Sequence, residues 1–133
     1  MNLEKIPLFS ALTEKMKWLT ARQKVLAQNI ANSDTPNYRA HDLKPLKFKE
    51  YINGPKEQSV EVNRTNSRHI FVGDTSPYNA VIDRNVSEMT PTGNAVVLEE
   101  EMMKVAETQI QYELTTSLYK KNLGLIKTAL GRR

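Results

Sequence analysis

Asn29-Ile30-Ala31-Asn32-Ser33-Asp34-Thr35-Pro36-Asn37-Tyr38-Arg39-Ala40 decides how this chain is read, because a long apolar-periodic helix is brought to a stop inside it. Asn32 and Ser33 carry short polar side chains that compete for backbone hydrogen bonds, and Pro36 pushes Thr35 out of helical space, so the helix is expected to end near residue 33. Thr35-Pro36-Asn37-Tyr38 then suits a type II turn, with Pro where φ near −65° is wanted and Asn37 where φ must be positive. On local chemistry alone, the same residues also serve as ordinary punctuation between a helix and a loop.

Upstream of the stop, Phe9, Leu12, Met16, Leu19, Gln23, Leu26 and Ile30 alternate spacings of three and four, placing them on one stripe of a helix with coiled-coil periodicity. Pro7 is acceptable in the first turn. Such a helix over residues 8–33 would be roughly 39 Å long. At the other end of the chain, Leu98, Met102, Val105, Gln109, Tyr112, Thr116, Tyr119, Leu123, Ile126 and Leu130 repeat the pattern, and Asn94 is the expected N-cap of a helix roughly 55 Å long. The run Glu99-Glu100-Glu101 near its start and Lys120, Lys121, Lys127, Arg132 and Arg133 near its end complement the helix dipole, and the acidic run reads as a solvated face. Gly124 is its weak point, costing about 1 kcal/mol against Ala if nothing packs there.

Between the helices, Pro45, Gly54-Pro55, Gly73 and Pro77 interrupt every window that could hold another long helix. Val60-Glu61-Val62, Ile70-Phe71-Val72 and Ala80-Val81-Ile82 are short β-prone runs, expected to form a small antiparallel patch. The fold class is therefore mainly α: long N- and C-terminal helices pair as a coiled-coil-like hairpin around a loop-rich central segment carrying short strands. Residues 1–40, 41–93 and 94–133 are the three parts of one structural unit. Leu12, Met16, Leu19, Leu26, Leu98, Met102, Val105, Tyr112, Tyr119, Leu123 and Ile126 are the expected pairing seam.

Both helices carry apolar residues off that seam. Met103, Ile110, Leu114, Leu118 and Leu125 lie on the far side of the second helix, and Ala11, Trp18 and Val25 lie off the seam of the first. A two-helix hairpin buries one stripe of each helix. The remaining stripes either pack under residues 41–90 in a compact monomer or meet neighbouring subunits. Burial of one Leu-sized side chain is worth about 1.5 to 3 kcal/mol, and the central segment has few large apolar residues to offer. Trp18, Val25, Met103, Ile110, Leu114, Leu118 and Leu125 are thus expected to face other chains.

A chain of 133 residues with 39% apolar and 26% charged residues fits one domain, and the absence of Cys excludes disulfides, thiolate metal sites and a Cys nucleophile. The net charge of +4 is mild and its basic residues are interleaved with acids. No apolar run approaches the roughly 18 residues that span a bilayer, and the first 30 residues lack the pattern of a secretory signal. His41 and His69 are isolated, so no metal site is expected. No phosphate loop, nucleophile elbow or dinucleotide fingerprint occurs, which argues against an enzyme and against a cofactor. Asn63-Arg64-Thr65 and Asn85-Val86-Ser87 match the short glycosylation pattern. The alternative from another class is a basic helical hairpin binding nucleic acid through Lys15, Lys17, Arg22 and Lys24, although no basic stripe with interleaved aromatics supports it.

Asn29-Ile30-Ala31-Asn32 followed closely by Thr35-Pro36-x-Tyr38 resembles the N-terminal motif of flagellar rod and hook proteins. Gly93-Asn94-x-Val96-x-Leu98-Glu99-x-Glu101-Met102 is similar to the stretch that opens the C-terminal helix of rod proteins, and Thr65-Asn66-x-x-His69-Ile70 to a shorter turn-like element of that family. Asn37 stands where the family often has Gly; Asn is the non-glycine residue that best tolerates positive φ. The length and the pair of motifs are most similar to the family's proximal-rod members. The resemblance implies a structural subunit of the rod, a helical tube in the periplasm that transmits motor torque to the hook. It also implies other rod proteins, copies of the same chain, the rod-to-ring adaptor and the membrane ring protein as partners, with no nucleic acid or small-molecule substrate. Delivery would use the flagellar type III export apparatus with an uncleaved N-terminus. Asn29, Ile30, Ala31, Asn32, Thr35, Pro36, Asn37 and Tyr38 would then fix the bend that passes the chain into its central segment.

Overall fold

A computed structural model describes residues 6–47 and 78–131. Helix α1 spans Pro7–Ala31 and helix α2 spans Leu98–Ala129, with strands β1 (His41–Leu43) and β2 (Ala80–Ile82) between them in the chain. The helices are antiparallel. Asn29 meets Glu101 at one end, the Thr116 hydroxyl reaches Met16 Sδ further along, and the rings of Phe9 and Tyr119 meet edge-to-face at the other end. Among the described residues, no helix is long and apolar enough to cross a membrane.

α1 opens with Pro7 in its first turn and closes at Asn32, whose backbone N–H donates to Gln28 O at 3.1 Å while its side-chain Nδ2 donates to the same carbonyl at 2.8 Å. Backbone and side chain of one Asn thus converge on a single carbonyl of the last turn, the kind of competing local hydrogen bond that favours a helix end at Asn. The turn that follows closes through Tyr38 N–H to Thr35 O at 3.3 Å, and Asn37 sits at φ 59°, as the Pro-Asn sequence requires. The end of α1 falls two residues before the expected one, within the ordinary fraying of helix boundaries.

β1 pairs antiparallel with β2, setting His41 opposite Ile82, Asp42 opposite Val81 and Leu43 opposite Ala80. β2 is one of the expected strands, but its partner is not. His41-Asp42-Leu43 has little strand propensity and forms a strand because the turn and Asn29 hold its backbone extended. The other two expected strands, Val60–Val62 and Ile70–Val72, lie outside the described residues.

Trp18, Leu19 and Leu43 form the buried cluster, with Ala21, Val25, Leu46 and Tyr78 packed around it. This corrects one expectation: Trp18 does not face a neighbour. The chain leaving β1 runs over it, its indole N–H donates to Lys44 O at 3.0 Å, and only 5% of its surface is exposed. Ala11 is buried as well, and Val25 is half-buried against the same cluster. The second face of α1 is therefore covered by its own chain.

α2 behaves differently. Its buried residues are Glu101, Thr108 and Thr115, spaced seven apart. The two threonine hydroxyls donate to the carbonyls of Lys104 and Gln111, each at 2.7 Å, so the stripe facing α1 is small and polar but internally satisfied. Relative to the apolar stripe expected to form the seam, the buried one is turned by roughly 60°, since each residue advances a helix by about 100°. Val105, Tyr119, Leu123 and Ile126 flank it half-buried, whereas Leu98, Met102 and Tyr112 are exposed.

Candidate functional site

The two motifs singled out in the sequence meet at the closed base of the hairpin. Asn29, in the last turn of α1, is fully buried. Its Oδ1 accepts the His41 N–H at 3.0 Å and the Tyr38 hydroxyl at 3.3 Å. Its Nδ2 donates to His41 O and to Glu101 Oε2, both at 2.7 Å. The amide therefore pairs with the backbone of His41 as a neighbouring strand would, and spends its second N–H on α2. An amide is the side-chain group that supplies two donors and a two-lone-pair acceptor at one point, which this position uses in full.

Glu101 is 2% exposed, which overturns the reading of the Glu99–Glu101 run as a solvated face throughout. Lys104, one turn along α2, places Nζ 2.8 Å from Glu101 Oε1 and 2.8 Å from Asp83 Oδ2, linking the residue after β2 to the helix pair. Burial lowers the Lys104 pKa, but hydrogen bonds from its ammonium to Asp83 and Glu101 outweigh that, and the net shift is upward. The Lys104 hydrogen bond holds the Asp83 carboxyl below its ordinary range against the opposing effect of burial, with help from the Asn85 N–H. Burial, with the Glu101 charge, raises the Tyr38 phenol. Glu101 and Asn29 thus anchor a network in which every buried side-chain polar atom among the described residues has a partner.

Asn94 completes the junction in a role the sequence does not announce. It is not the N-cap of α2, which starts at Leu98 after Val97 with no side-chain cap. Asn94 is buried; its Nδ2 donates to Asn32 O at 2.9 Å and Thr35 O at 2.7 Å, and its Oδ1 accepts the Val96 N–H at 2.8 Å. It caps the C-terminus of α1 from across the chain. The backbones meet beside it: Asn37 N–H donates to Thr92 O at 3.1 Å, and Ala95 N–H donates to Tyr38 O at 3.0 Å. Gly93 has φ 78°, a left-handed backbone that favours glycine, and a Cβ there, 2.5 Å from the Asn37 amide oxygen, would also displace that atom.

A second ion pair lies one heptad back along α1. The Arg22 guanidinium grips Asp42 through Nε and Nη2 at 2.9 and 2.8 Å, a two-pronged contact that raises the Arg22 pKa through the Asp42 hydrogen bond despite burial. Arg22 and Lys15 both lie over the Trp18 ring. Burial, and then the charge of Arg22, lowers the Lys15 pKa.

Of the turn-motif residues, Asn29 is buried, Ile30, Asn32 and Tyr38 are half-buried, and Ala31, Thr35, Pro36 and Asn37 are exposed. Leu12, Leu19 and Leu26 are buried, with Met16 half-buried. On α2, Met103, Ile110, Leu114, Leu118 and Leu125 are 42–67% exposed. The structure thus brings the turn motif to the start of α2 and leaves the far stripe of α2 facing outward. Sequence reasoning misses Glu101, Lys104, Asp83 and the bridging role of Asn94. The signal for Glu101 is its seven-residue spacing from Thr108 and Thr115, legible only once a polar seam is entertained.

The sequence pattern of a family described as flagella basal body rod protein matches residues 16–39, the last two-thirds of α1 and the turn. The flagellar basal body rod protein FlgB of Agrobacterium fabrum is 38% identical over 122 residues, covering 90% of this chain and 89% of the relative. FlgB of Bacillus subtilis is 30% identical over 82% of this chain and 81% of its own length. FlgB of Escherichia coli is 29% identical over 78% of each.

Proposed function

The chain belongs to the FlgB family of flagellar basal body rod proteins, and from that premise we propose that it is a proximal-rod subunit that assembles through the outward face of α2. As a member of that family it is a structural component of the flagellar basal body and assembles with other rod components. The finer reading is a helical tube in the periplasm. Its terminal helices pack against copies of this chain and other rod proteins, and torque passes through it from the membrane ring and its adaptor toward the hook. Delivery by the type III export apparatus belongs to the same reading.

One observation carries the reading: Met103, Ile110, Leu114, Leu118 and Leu125 stand exposed along one helix whose inner face is polar. Contiguous exposed apolar surface of this kind marks an interaction site. At about 1.5 to 3 kcal/mol per Leu-sized side chain, covering it is a large driving force for association. Of the residues on which the nucleic-acid alternative rests, Arg22 is engaged by Asp42, Lys17 by Glu14, and Lys15 lies over the Trp18 ring.

The test is deletion of the gene in its own host, with isolated basal bodies imaged by electron microscopy beside a motility assay. Rings without a rod, rescued by the native chain but not by Ile110→Asp/Leu114→Asp, are expected. Complete rods and normal swimming without the gene would overturn the rod reading. Full rescue by the double variant would overturn the role of the α2 face alone.

A further inference from the structure

The α1–α2 seam has a property that its apolar residues cannot resolve by themselves. On α1, Leu12, Leu19 and Leu26 are buried and seven residues apart; on α2, Thr108 and Thr115 are buried and seven apart. Sliding one helix along the other by a heptad brings these two repeats back into phase. Burial changes little between such registers, because the repeated residues are the same. The contacts that break the repeat are polar. Seven and fourteen residues before Asn29 on α1 stand Arg22 and Lys15; seven and fourteen after Glu101 on α2 stand Thr108 and Thr115. Only the observed register joins the buried Asn29 amide to the buried Glu101 carboxylate.

The heptad-shifted alternative has an obvious attraction, since it would bring Arg22 to Glu101. In the structure Arg22 is occupied by two hydrogen bonds to Asp42, and Glu101 by Asn29 and Lys104. A slip would strip partners from several buried polar groups at once, and a buried polar group left unsatisfied carries its full desolvation penalty. We propose that the Asn29–Glu101 pair is the register lock of the hairpin: it selects one alignment of two helices whose remaining seam is periodic. A single buried polar residue fixing register is the best-attested use of such a group between helices. This inference goes beyond the rod assignment and does not depend on it.

The absence of Cys from the chain makes the register directly readable. Met16 and Thr116 touch in the observed alignment, with Sδ and Oγ1 3.7 Å apart. In the full-length chain, Met16→Cys with Thr116→Cys reports that alignment. Met16→Cys with Gln109→Cys, or with Leu123→Cys, reports slips of one heptad in either direction. Under mild oxidation at low protein concentration, the otherwise native chain is expected to form the first intramolecular disulfide and almost none of the others. Added to each pair, Asn29→Leu/Glu101→Leu removes both polar partners together, which keeps the seam free of an orphaned buried group. The expected result is a chain of unchanged helical content in which an off-register pair cross-links to within a fewfold of the in-register one.

Cross-linking confined to Met16→Cys/Thr116→Cys in that background would overturn the proposal and assign register to the backbone contacts around Asn94. Loss of helical content in the Leu/Leu background would also overturn it, because the pair would then be a requirement for folding and not a choice among registers. Glu101→Gln serves as a second variant: its amide oxygen can still accept from Asn29, so it should stay in register, and slippage there would count equally against the assignment.

Discussion

α1 and α2 carry the same alternation of three- and four-residue apolar spacings and meet opposite fates. α1 buries Phe9, Ala11, Leu12, Trp18, Leu19 and Leu26 on two faces, one toward α2 and one under the segment that follows the turn. α2 buries Glu101, Thr108 and Thr115 and leaves most of its large apolar side chains in solvent. The difference lies in what the chain brings to each helix: β1 and Tyr78 fold back over α1, whereas among the described residues α1 is the one element that packs extensively on α2. Periodicity states that a stripe needs covering. It does not state whether the cover is the helix's own chain.

The sharpest way to break this contrast is at the junction, where the two helices depend on each other. Asn29→Asp replaces an N–H donor with a carboxylate oxygen facing His41 O and Glu101, turning two hydrogen bonds into repulsions. A destabilisation of about 3–5 kcal/mol is expected, the range for leaving a buried charge without its partner, against a typical total of about 5–15 kcal/mol. Urea unfolding followed by circular dichroism and Trp18 fluorescence measures it. A loss below about 1 kcal/mol would show that the network relaxes around the change, below the usual effect of an orphaned buried group.

Next in size is a matched pair of truncations. Leu19 is 1% exposed, so Leu19→Ala should cost about 2–5 kcal/mol through lost burial and the cavity left behind. Leu114 is 60% exposed, and Leu114→Ala should change the stability of the isolated chain by less than about 0.5 kcal/mol. If the outward face of α2 carries assembly, the order reverses in a rod-incorporation assay. Equal stability losses for the two variants would erase the distinction between the helices.

Acid probes the network that ties β2 to α2. The Asp83 carboxyl is held below its ordinary range in the folded chain, chiefly by Lys104. A depressed folded pKa contributes stability that is complete above the unfolded value and is lost as pH falls through the folded one. The native chain should therefore lose stability as pH drops below about 4, the ordinary aspartate value. Asp83→Asn should be less stable at neutral pH and lose less over that same interval. An identical acid profile for the two chains would remove Asp83 from the account.

Two long helices, a stop within two residues of the expected position 33 and a left-handed Asn37 were legible because each rests on local chemistry: spacing, Pro36, and the φ tolerance of Asn. The partner choices were not. Asn94 precedes a helix and has the right side chain for its N-cap, yet it caps α1, some 60 residues back, because β-like pairing at Tyr38 and Ala95 brings the two turns together. Trp18 reads as an outward residue until Lys44 and Leu43 are seen to cover it. Glu101 looks solvated beside Glu99 and Glu100, and its burial is tolerable because Asn29, 72 residues earlier, joins Lys104 in satisfying the carboxylate. Each miss is a long-range contact that no window of sequence contains.

The smallest expected effect bears on why α2 keeps a flaw. Gly124 lies within the helix, and a Cβ added there meets nothing within 4 Å. In a lone chain the glycine only weakens the helix, so Gly124→Ala should stabilise it by about 0.5–1 kcal/mol, the propensity difference between the two residues. Leu125 beside it is 60% exposed, which puts Gly124 next to surface proposed to meet another subunit. If a neighbour's backbone approaches there, a methyl group would hold it off, and the variant should be more stable as a monomer but assemble less well. Thermal melts of the isolated chain, set beside rod incorporation in the deletion strain, separate the two. Improved stability with undiminished assembly would mean that the far stripe of α2 is engaged without close contact at residue 124, moving the interface toward Ile110 and Leu114.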